Sequence, residues 1–469
     1  MKYFSTRDKS KKYSFKEVFL KGLAPDGGLF VPENLKKFDK DDLLNLKKLN
    51  YVQLTFEIAS YFCGNDIEAK KLKSIIEKSY YNFLIENVVS IKSFDNLNIL
   101  ELYHGPTLAF KDIAMQVIGN LYLEFKKEAK DSTNIIVATS GDTGAAAVNA
   151  LKQKKNINLF ILHPHNKISK MQRKIMTSEN FYFSNDISKN IFNIAVNGTF
   201  DDCQNIVKKI FNDEKFRTIT NLSGVNSINW ARIIFQITYY FYAYFKISSN
   251  EKINFSVPTG NFGDVYAGYL AKKMGLPIDK LIVSTNENDI LQRVINNGEY
   301  TPKKVKPSIS PSMDIQVASN FERLIFDATK NNDVEVASLM SDLKSKGKFK
   351  LKTKYLEYIQ KSFIGVKVND KETKETIEKI YKKYNFIVDP HTAIAIKAQE
   401  KIKLDTKTIC LATAHPYKFV ETIEKIVGIK METPIQGSFL GPEEKFDVLE
   451  NDIELIKSFI LKRAHYNEN

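Results

Sequence analysis

Residues 254–275 have the sequence NFSVPTGNFGDVYAGYLAKKMG. The apolar run at 254–257 is typical of a buried strand, and residues 265–274 favour a helix. Between them lies a loop that carries Gly260 and Gly263. Glycines let a backbone approach a ligand closely, and the helix that follows turns its free N–H groups towards the loop. The stretch therefore indicates a strand–loop–helix unit whose loop is suited to hold a phosphate.

An ordinary tight turn between a strand and a helix is the other interpretation of this glycine pair. A nucleotide is not the expected ligand, because no Gly-Lys-Ser or Gly-Lys-Thr follows the loop and the glycine spacing is not GxGxxG.

The same alternation of short apolar runs and helical segments recurs along the chain. We predict strands at residues 134–138, 158–162, 193–196, 254–257, 281–284 and 408–411. This rhythm is typical of an α/β fold with a mostly parallel sheet. Ligands bind such sheets at the carboxyl ends of the strands, so the polar loops that follow them are the expected site.

A second loop, Ser140-Gly141-Asp142-Thr143, follows the predicted strand at 134–138. Hydroxyls and free amides at the start of a helix suit a carboxylate or a phosphate. Serine and threonine are also common helix caps, so a purely structural role stays open for this loop.

Lys111 is the third feature, because it stands beside Phe110 at the beginning of a predicted helix. Apolar burial and the positive end of the helix both disfavour the charged form of a lysine. Lys111 is therefore a candidate amine nucleophile. The alternative is a solvent-facing lysine, as expected for most lysines of this chain.

The order of lysine, hydroxyl loop and glycine loop resembles the fold-type II pyridoxal-phosphate (PLP) enzymes, relatives of the tryptophan synthase β chain. Further segments narrow the resemblance to the threonine synthases of the bacterial and fungal type. These segments are residues 5–7, 22–29, 104–112, 223–232, 310–314, 319–323, 389–393 and 413–416. They follow in order from near residue 5 to near residue 420.

The resemblance implies a role for individual residues. Lys111 matches the lysine that forms the Schiff base with the cofactor, and Thr413 matches the hydroxyl residue at the pyridine nitrogen. The residues that match the phosphate loop are Gly260, Asn261, Phe262, Gly263 and Asp264. The residues implied in substrate binding are Ser140, Gly141, Asp142, Thr143, Asn226, Asn229 and Arg232. The histidines His104, His391 and His415 lie in or beside matched segments, and we interpret them as residues that cap or orient loops.

The implied architecture has two open twisted parallel-sheet domains plus an N-terminal helical domain. Charged helical segments at 38–49 and 67–86 predict the helical domain over residues 1–95. The large PLP-binding α/β domain is expected over 96–125 and 225–440, the small α/β domain over 126–224, and a C-terminal helical tail over 441–469.

The implied reaction converts O-phospho-L-homoserine and water to L-threonine and phosphate, by PLP-dependent elimination and β-hydration, in the last step of threonine biosynthesis. The enzyme would be a carbon–oxygen lyase with pyridoxal 5'-phosphate as cofactor. The alternative is another type II PLP lyase, such as a serine or threonine dehydratase, which would share the lysine and the glycine loop. A homologue that binds ligands without the cofactor would be expected to lose Lys111 or the glycine loop, and both are intact.

Composition limits the other classes of function. The chain has 469 residues, of which 43% are hydrophobic and 26% charged, as in ordinary globular proteins. The net charge of +14 is spread over short, separated lysine runs, which favours a solvated surface over a nucleic-acid interface. The three cysteines show no metal-ligand spacing and no disulfide framework, so no metal is expected. We expect a cytoplasmic protein that binds a small-molecule substrate, neither nucleic acid nor membrane, and that is a monomer or else a dimer.

Overall fold

A computed structural model describes residues 1–126, 132–152, 154, 156–178, 190–224, 227–248, 251–434 and 444–464. The strands are β1 (Tyr3–Ser5), β2 (Phe30–Pro32), β3 (Ser90–Phe94), β4 (Leu97–Glu101), β5 (Thr133–Ala138), β6 (Ile157–Pro164), β7 (Ile191–Asn197), β8 (Leu222–Gly224), β9 (Ile253–Pro258), β10 (Ile278–Thr285), β11 (Glu299–Tyr300), β12 (Phe349–Lys350), β13 (Phe363–Lys367), β14 (Thr408–Ala412) and β15 (Asp447–Glu450).

The helices are α1 (Phe15–Lys21), α2 (Lys40–Leu46), α3 (Tyr51–Cys63), α4 (Ala69–Tyr80), α5 (Lys111–Lys126), α6 (Asp142–Leu151), α7 (Lys170–Thr177), α8 (Phe200–Asn212), α9 (Glu214–Ile219), α10 (Trp230–Ile247), α11 (Gly263–Lys273), α12 (Ile290–Asn297), α13 (Phe321–Ala328), α14 (Asp333–Lys346), α15 (Thr353–Gln360), α16 (Asp370–Tyr384), α17 (Pro390–Ile402), α18 (Val420–Val427) and α19 (Ile453–Leu461). Short 3-10 turns cover Gly64–Asp66, Pro311–Met313 and Pro416–Phe419.

The larger sheet has the strand order β13-β10-β9-β14-β4-β3. Its neighbouring strands are parallel except at the edge, where β3 pairs antiparallel with β4. Every residue of β9 is buried, as expected of a parallel strand covered on both faces. The loops that follow β9 and β14 leave the same edge of the sheet side by side, and this edge carries the site.

The smaller sheet has the order β15-β7-β6-β5-β8, and all its strand pairs are parallel. Helix α6 leaves the carboxyl end of β5 and begins at Asp142. The expected helical tail contains α19, and before it β15 adds an edge strand to this sheet.

All six predicted strands are confirmed, and so is the mainly parallel α/β fold. The helical segments predicted at 38–49 and 67–86 contain the shorter helices α2 and α4. Between them lies α3, which the sequence did not predict. The aromatic helix α10 packs against α3, α5 and α11, and most of its side chains are buried. Among the described residues, no helix combines the length and the apolar character needed to cross a membrane.

Candidate active site

A cavity lies at the carboxyl ends of β9 and β14, between the start of α5 and the start of α6. The residues that line it are Phe110, Lys111, Asp142, Thr143, Ser227, Arg232, Gln236, Pro258, Thr259, Gly260, Asn261, Phe262, Gly263, Asp264, Ser312, Met313, His391 and Thr413. The three loops singled out in the sequence therefore meet in one place.

Three residues predicted for the substrate, Ser140, Gly141 and Asn229, lie in the described structure but do not line this cavity. Ser140 and Gly141 precede the lining residue Asp142, and Gly141 is the N-cap residue of α6. Asn229 caps α10, because its side-chain oxygen accepts a hydrogen bond from the backbone amide of Ala231. Its side-chain nitrogen Nδ2 donates to the Phe19 carbonyl at 3.0 Å. Asn226 lies outside the described residues.

The glycine loop is packed too tightly for a side chain at Gly260. A Cβ placed there would lie 2.8 Å from the Ser312 carbonyl oxygen. Phe262 adopts a left-handed conformation with a φ of 67°, and α11 begins at the next residue. The first amides of a helix have no partner within the helix, so this loop presents backbone donors to an anion.

Lys111 is the first residue of α5, as predicted. Its Nζ lies 3.2 Å from Oδ2 of Asp142 and 4.8 Å from the centre of the Phe110 ring. Burial lowers the pKa of the Lys111 ammonium, the Asp142 carboxylate opposes this, and the nearby cations of Arg232 and Lys418 lower the pKa further. The net effect favours a neutral amine, which is the nucleophilic form of a lysine.

The Asp142 carboxylate accepts hydrogen bonds from four side chains among the described residues. Oδ1 accepts from Lys418 at 2.8 Å and from Gln172 at 3.0 Å. Oδ2 accepts from Lys111 at 3.2 Å and from Ser312 at 3.1 Å. Burial alone would raise the pKa of Asp142, but the two lysines outweigh it and hold the pKa well below its ordinary range. Asp142 is therefore a fixed negative charge beside the Lys111 amine.

Arg232 is a buried cation with spare donors. Its Nε and Nη1 atoms are buried and have no hydrogen-bond partner among the described residues. Burial lowers the pKa of its guanidinium to about 10. An unpaired buried charge is costly, so an anion in the cavity would satisfy a need that the described protein groups do not meet.

Asp264 is a buried residue in the first turn of α11 and also lines the cavity. Its Oδ1 accepts hydrogen bonds from Tyr239 at 2.6 Å and from Tyr240 at 2.8 Å. Burial raises the pKa of Asp264 to about 6, although both tyrosines and Lys111 act in the other direction. These bonds hold the first turn of α11 against α10.

Thr413 follows β14 and reaches the cavity beside the lysine. The Phe110 amide donates to the Thr413 carbonyl at 2.9 Å, so the backbone itself brings Thr413 next to Lys111. The Thr413 side chain is buried.

The sequence interpretation did not assign Ser312 or Lys418 to the site, and it expected His391 only to cap or orient a loop. His391 lines the cavity, its Nδ1 lies 2.6 Å from Asp389, and its Nε2 is buried without a partner among the described residues. Asp389 is the N-cap of α17 and so orients the ring. All three lie in or within two residues of matched segments, but only the folded structure shows what they contact.

The cavity combines a buried amine with a glycine loop that presents backbone donors to an anion. This combination suits pyridoxal phosphate, because an amine can bind the aldehyde of that cofactor and backbone donors can bind its phosphate. Two parallel sheets with such a site between their loops define a PLP enzyme of fold-type II.

Comparisons with known proteins identify the family within this class. Residues 2–80 match the family model for the threonine synthase N terminus, residues 96–413 that for pyridoxal-phosphate dependent enzymes, and residues 392–460 that for the threonine synthase C-terminal region. The chain belongs to the threonine synthase family.

Full-length relatives support this assignment. A threonine synthase from Pseudomonas aeruginosa is 42% identical over 99% of this chain and 99% of its own. One from Saccharomyces cerevisiae is 40% identical over 98% of this chain and 97% of its own. The crystal structure of PLP-bound threonine synthase from Brucella melitensis superposes with a TM-score of 0.92 at 38% identity, covering 99% of this chain and 100% of that chain. The expected fold class and cofactor are thereby confirmed.

Proposed function

We propose that this chain converts O-phospho-L-homoserine and water to L-threonine and inorganic phosphate, in the last step of threonine biosynthesis. The observation that carries the substrate assignment is Arg232, a cavity-lining guanidinium with two buried nitrogens that lack a partner among the described residues. A phosphorylated substrate supplies the anion that such a group needs. Membership of the threonine synthase family points to the same reaction.

The cofactor would be held by three parts of the cavity. Lys111 would carry it, the backbone of residues 260–264 would bind its phosphate, and the Thr413 hydroxyl would face the ring nitrogen. When bound, PLP accepts electron density from the carbon atoms of the substrate. A neutral hydroxyl does not hold a proton on the ring nitrogen as a carboxylate would, so Thr413 moderates that electron demand.

The residues of the chain would orient the substrate and move its protons. Lys111 Nζ takes and returns protons, since the lowered pKa of this group leaves the amine free to accept them. The loop of Ser140, Gly141, Asp142 and Thr143 would receive the substrate carboxylate. Arg232 would bind the phosphate that leaves. Asn229 would act by fixing the first turn of α10, which carries Arg232, and Asn226 stays a predicted substrate contact.

The test is an absorbance spectrum followed by an activity assay. The purified protein should show a visible band that borohydride traps on Lys111, and Lys111→Ala should lack it. The wild type should release phosphate and form threonine from O-phospho-L-homoserine, and Lys111→Ala should lose at least about 10³-fold of this rate. Turnover of L-threonine or L-serine, with none of O-phospho-L-homoserine, would overturn the assignment in favour of a dehydratase.

We also propose that the enzyme works in the cytoplasm and as a monomer. Cys63, Cys203 and Cys410 are buried thiols that form no disulfide bond among the described residues, which fits a reducing compartment. Light scattering of the active enzyme tests the monomer, and a stable dimer with lower activity on dilution would contradict it.

A further inference from the structure

Lys418 is a fully buried lysine outside every predicted site. It lies in the turn Pro416–Phe419 that follows β14, and none of its side chain is exposed. Its Nζ donates to Oδ1 of Asp142 at 2.8 Å and to the Thr107 carbonyl at 2.8 Å. Burying an ammonium group is costly even when it is paired, so this side chain calls for a reason beyond packing.

Lys418 and Lys111 share one carboxylate. Lys418 binds Oδ1 of Asp142, and Lys111 lies 3.2 Å from Oδ2 of the same side chain. The three charged groups thus form a short chain from the turn after β14, through the start of α6, to the start of α5. Lys418 does not line the cavity, so it can reach the reacting groups only through Asp142 or through its field.

We propose that Lys418 is a positioning residue for Lys111: it neutralises Asp142, so that Asp142 orients the Lys111 amine without holding it as an ammonium ion. The same neutralisation leaves the loop of residues 140–143 able to accept an anionic substrate group. This inference rests on the proposed role of Lys111 as the lysine that carries the cofactor.

The electrostatics of the site support this role. Burial is the main cause that lowers the pKa of the Lys111 ammonium; Asp142 raises this pKa, and the cations of Arg232 and Lys418 both lower it further. Without Lys418, Lys111 would be the remaining cation paired with Asp142 among the described residues. An opposite charge at hydrogen-bond distance favours the charged form, so Lys111 would stay protonated to a higher pH.

Lys418 also connects the elements around the two sheets, since its carbonyl accepts from the Ser169 hydroxyl at 3.2 Å, at the N-cap of α7. A substitution at Lys418 is therefore expected to lower stability in any case. The test must use a quantity that a merely structural role would not move.

That quantity is the pH at which the Lys111 amine becomes reactive. Cofactor-free protein is pulsed with acetic anhydride over a pH series, and the peptide that contains Lys111 is quantified by mass spectrometry. In Lys418→Met the midpoint should move up by about one pH unit, so that labelling below the midpoint falls about 10-fold. Lys418→Arg keeps the charge and should keep the midpoint of the wild type.

Asp142→Asn gives the opposite sign. It removes the carboxylate and leaves the Lys418 cation in place, so the Lys111 midpoint should fall below that of the wild type. The double variant Lys418→Met/Asp142→Asn removes both charges of the Lys418–Asp142 pair. Because the Lys418 cation is then absent, the Lys111 midpoint should lie above that of Asp142→Asn.

An equal midpoint in the wild type and in folded Lys418→Met would overturn the proposal. If Lys418→Met does not fold, Lys418→Gln takes its place in the comparison with the wild type, and equal midpoints there overturn the proposal. Near-ultraviolet circular dichroism establishes that each variant is folded. The labelling involves no substrate, so its failure would leave the release of phosphate from O-phospho-L-homoserine as a separate result.

Discussion

Asp112 is a second buried carboxylate, next to Lys111 in the sequence. It accepts hydrogen bonds from the Thr107 amide and from the Thr107 hydroxyl, both at 2.7 Å. Burial raises the pKa of Asp112 to about 6, although the bonds from Thr107 lower it. The side chain holds the turn before α5 in place, because it binds a residue five positions upstream.

We expect Asp112→Asn to change how the stability of the protein depends on pH. The folded-state pKa of Asp112 lies above its ordinary 3.8, so the folded state binds this proton more tightly than the unfolded state. The associated stability is fully present below about pH 4 and is lost as the pH rises through about 6. The stability of the wild type minus that of the variant should therefore fall by up to about 3 kcal/mol between these limits. Urea unfolding of cofactor-free protein over pH 4–8 measures it.

Asp8→Asn is the control for that series. Asp8 is partly exposed, and hydrogen bonds from Ser10 hold the pKa of its carboxylate below the ordinary value. Its contribution is therefore lost as the pH falls, which is the opposite sign. A difference between wild type and Asp112→Asn that is constant over the whole pH range would contradict the assignment.

At the scale of elements, the join between β9 and α11 depends on the absence of a side chain at Gly260. Alanine there would place its Cβ 2.8 Å from the Ser312 carbonyl oxygen and 3.0 Å from Cδ1 of Ile315. One neighbour is backbone and yields poorly, so the loop itself must shift. Overpacking of this kind costs about 1–3 kcal/mol, which corresponds to about 5- to 150-fold weaker PLP binding in Gly260→Ala. Fluorescence titration of cofactor-free protein measures this affinity.

Gly347→Ala is the matched control. Gly347 has a φ of 70° and an open environment, with nothing within 4 Å of an added Cβ. Alanine there should cost about 1–2 kcal/mol of stability, because a left-handed backbone is strained with a side chain, while PLP affinity stays unchanged. Equal affinities in Gly260→Ala and the wild type would show that the loop tolerates the shift.

The strands that carry the site were predictable because their signal is local. Each predicted run is a short apolar segment that is soon followed by polar loop residues, as Val257 is by Thr259 and Leu411 by Thr413. The antiparallel edge strand β3 was not predicted, because Ser90–Phe94 is only partly buried and has no continuous apolar run. The short strand β8 was not predicted either, because three residues are too few to show a periodic pattern.

The side chains of the site also fall into two groups, those with a signal in the sequence and those without one. Lys111 and the glycine loop were singled out from their local sequence pattern, and Thr413 was found because its neighbours in sequence resemble a known family. Ser312 and Lys418 were missed because their function depends on Asp142, which lies 170 and 276 residues away along the chain. Neither side chain differs locally from an ordinary serine or lysine, so sequence spacing carries no signal of the contact.

At the scale of the whole molecule, polar contacts join the N-terminal segment to helix α13. Arg7 forms a bidentate pair with Glu322, with distances of 2.9 and 2.7 Å, and the Thr6 hydroxyl donates to the same carboxylate at 2.6 Å. The next residue, Arg323, donates from Nε to the Phe30 carbonyl at 3.0 Å. Helix α13 therefore holds both β2 and the residues that follow β1 in place. More than 290 residues separate α13 from each of these two segments in the sequence.

Arg323 also reaches the segment that precedes α10. Its Nη2 donates to the Ile228 carbonyl at 2.7 Å, its Nη1 donates to the Asn320 side chain, and its guanidinium lies 5.3 Å from the centre of the Trp230 ring. Asn320 in turn donates to the Asn261 carbonyl of the glycine loop at 3.0 Å. The Arg323 guanidinium thus connects β2, the start of α10 and, through Asn320, the glycine loop.

We expect Arg323→Lys to destabilise the whole protein by about 3 kcal/mol, because an ammonium group cannot donate in three fixed directions and leaves buried carbonyls unpaired. Urea unfolding of cofactor-free protein measures this loss. The control is Arg173→Lys, which weakens the bidentate pair with Glu444 at a partly exposed position and should cost less than about 1 kcal/mol. PLP affinity should also fall in Arg323→Lys, since Asn320 loses the partner that holds it against the glycine loop. Equal losses of stability in the two variants would contradict the view that Arg323 joins these three regions.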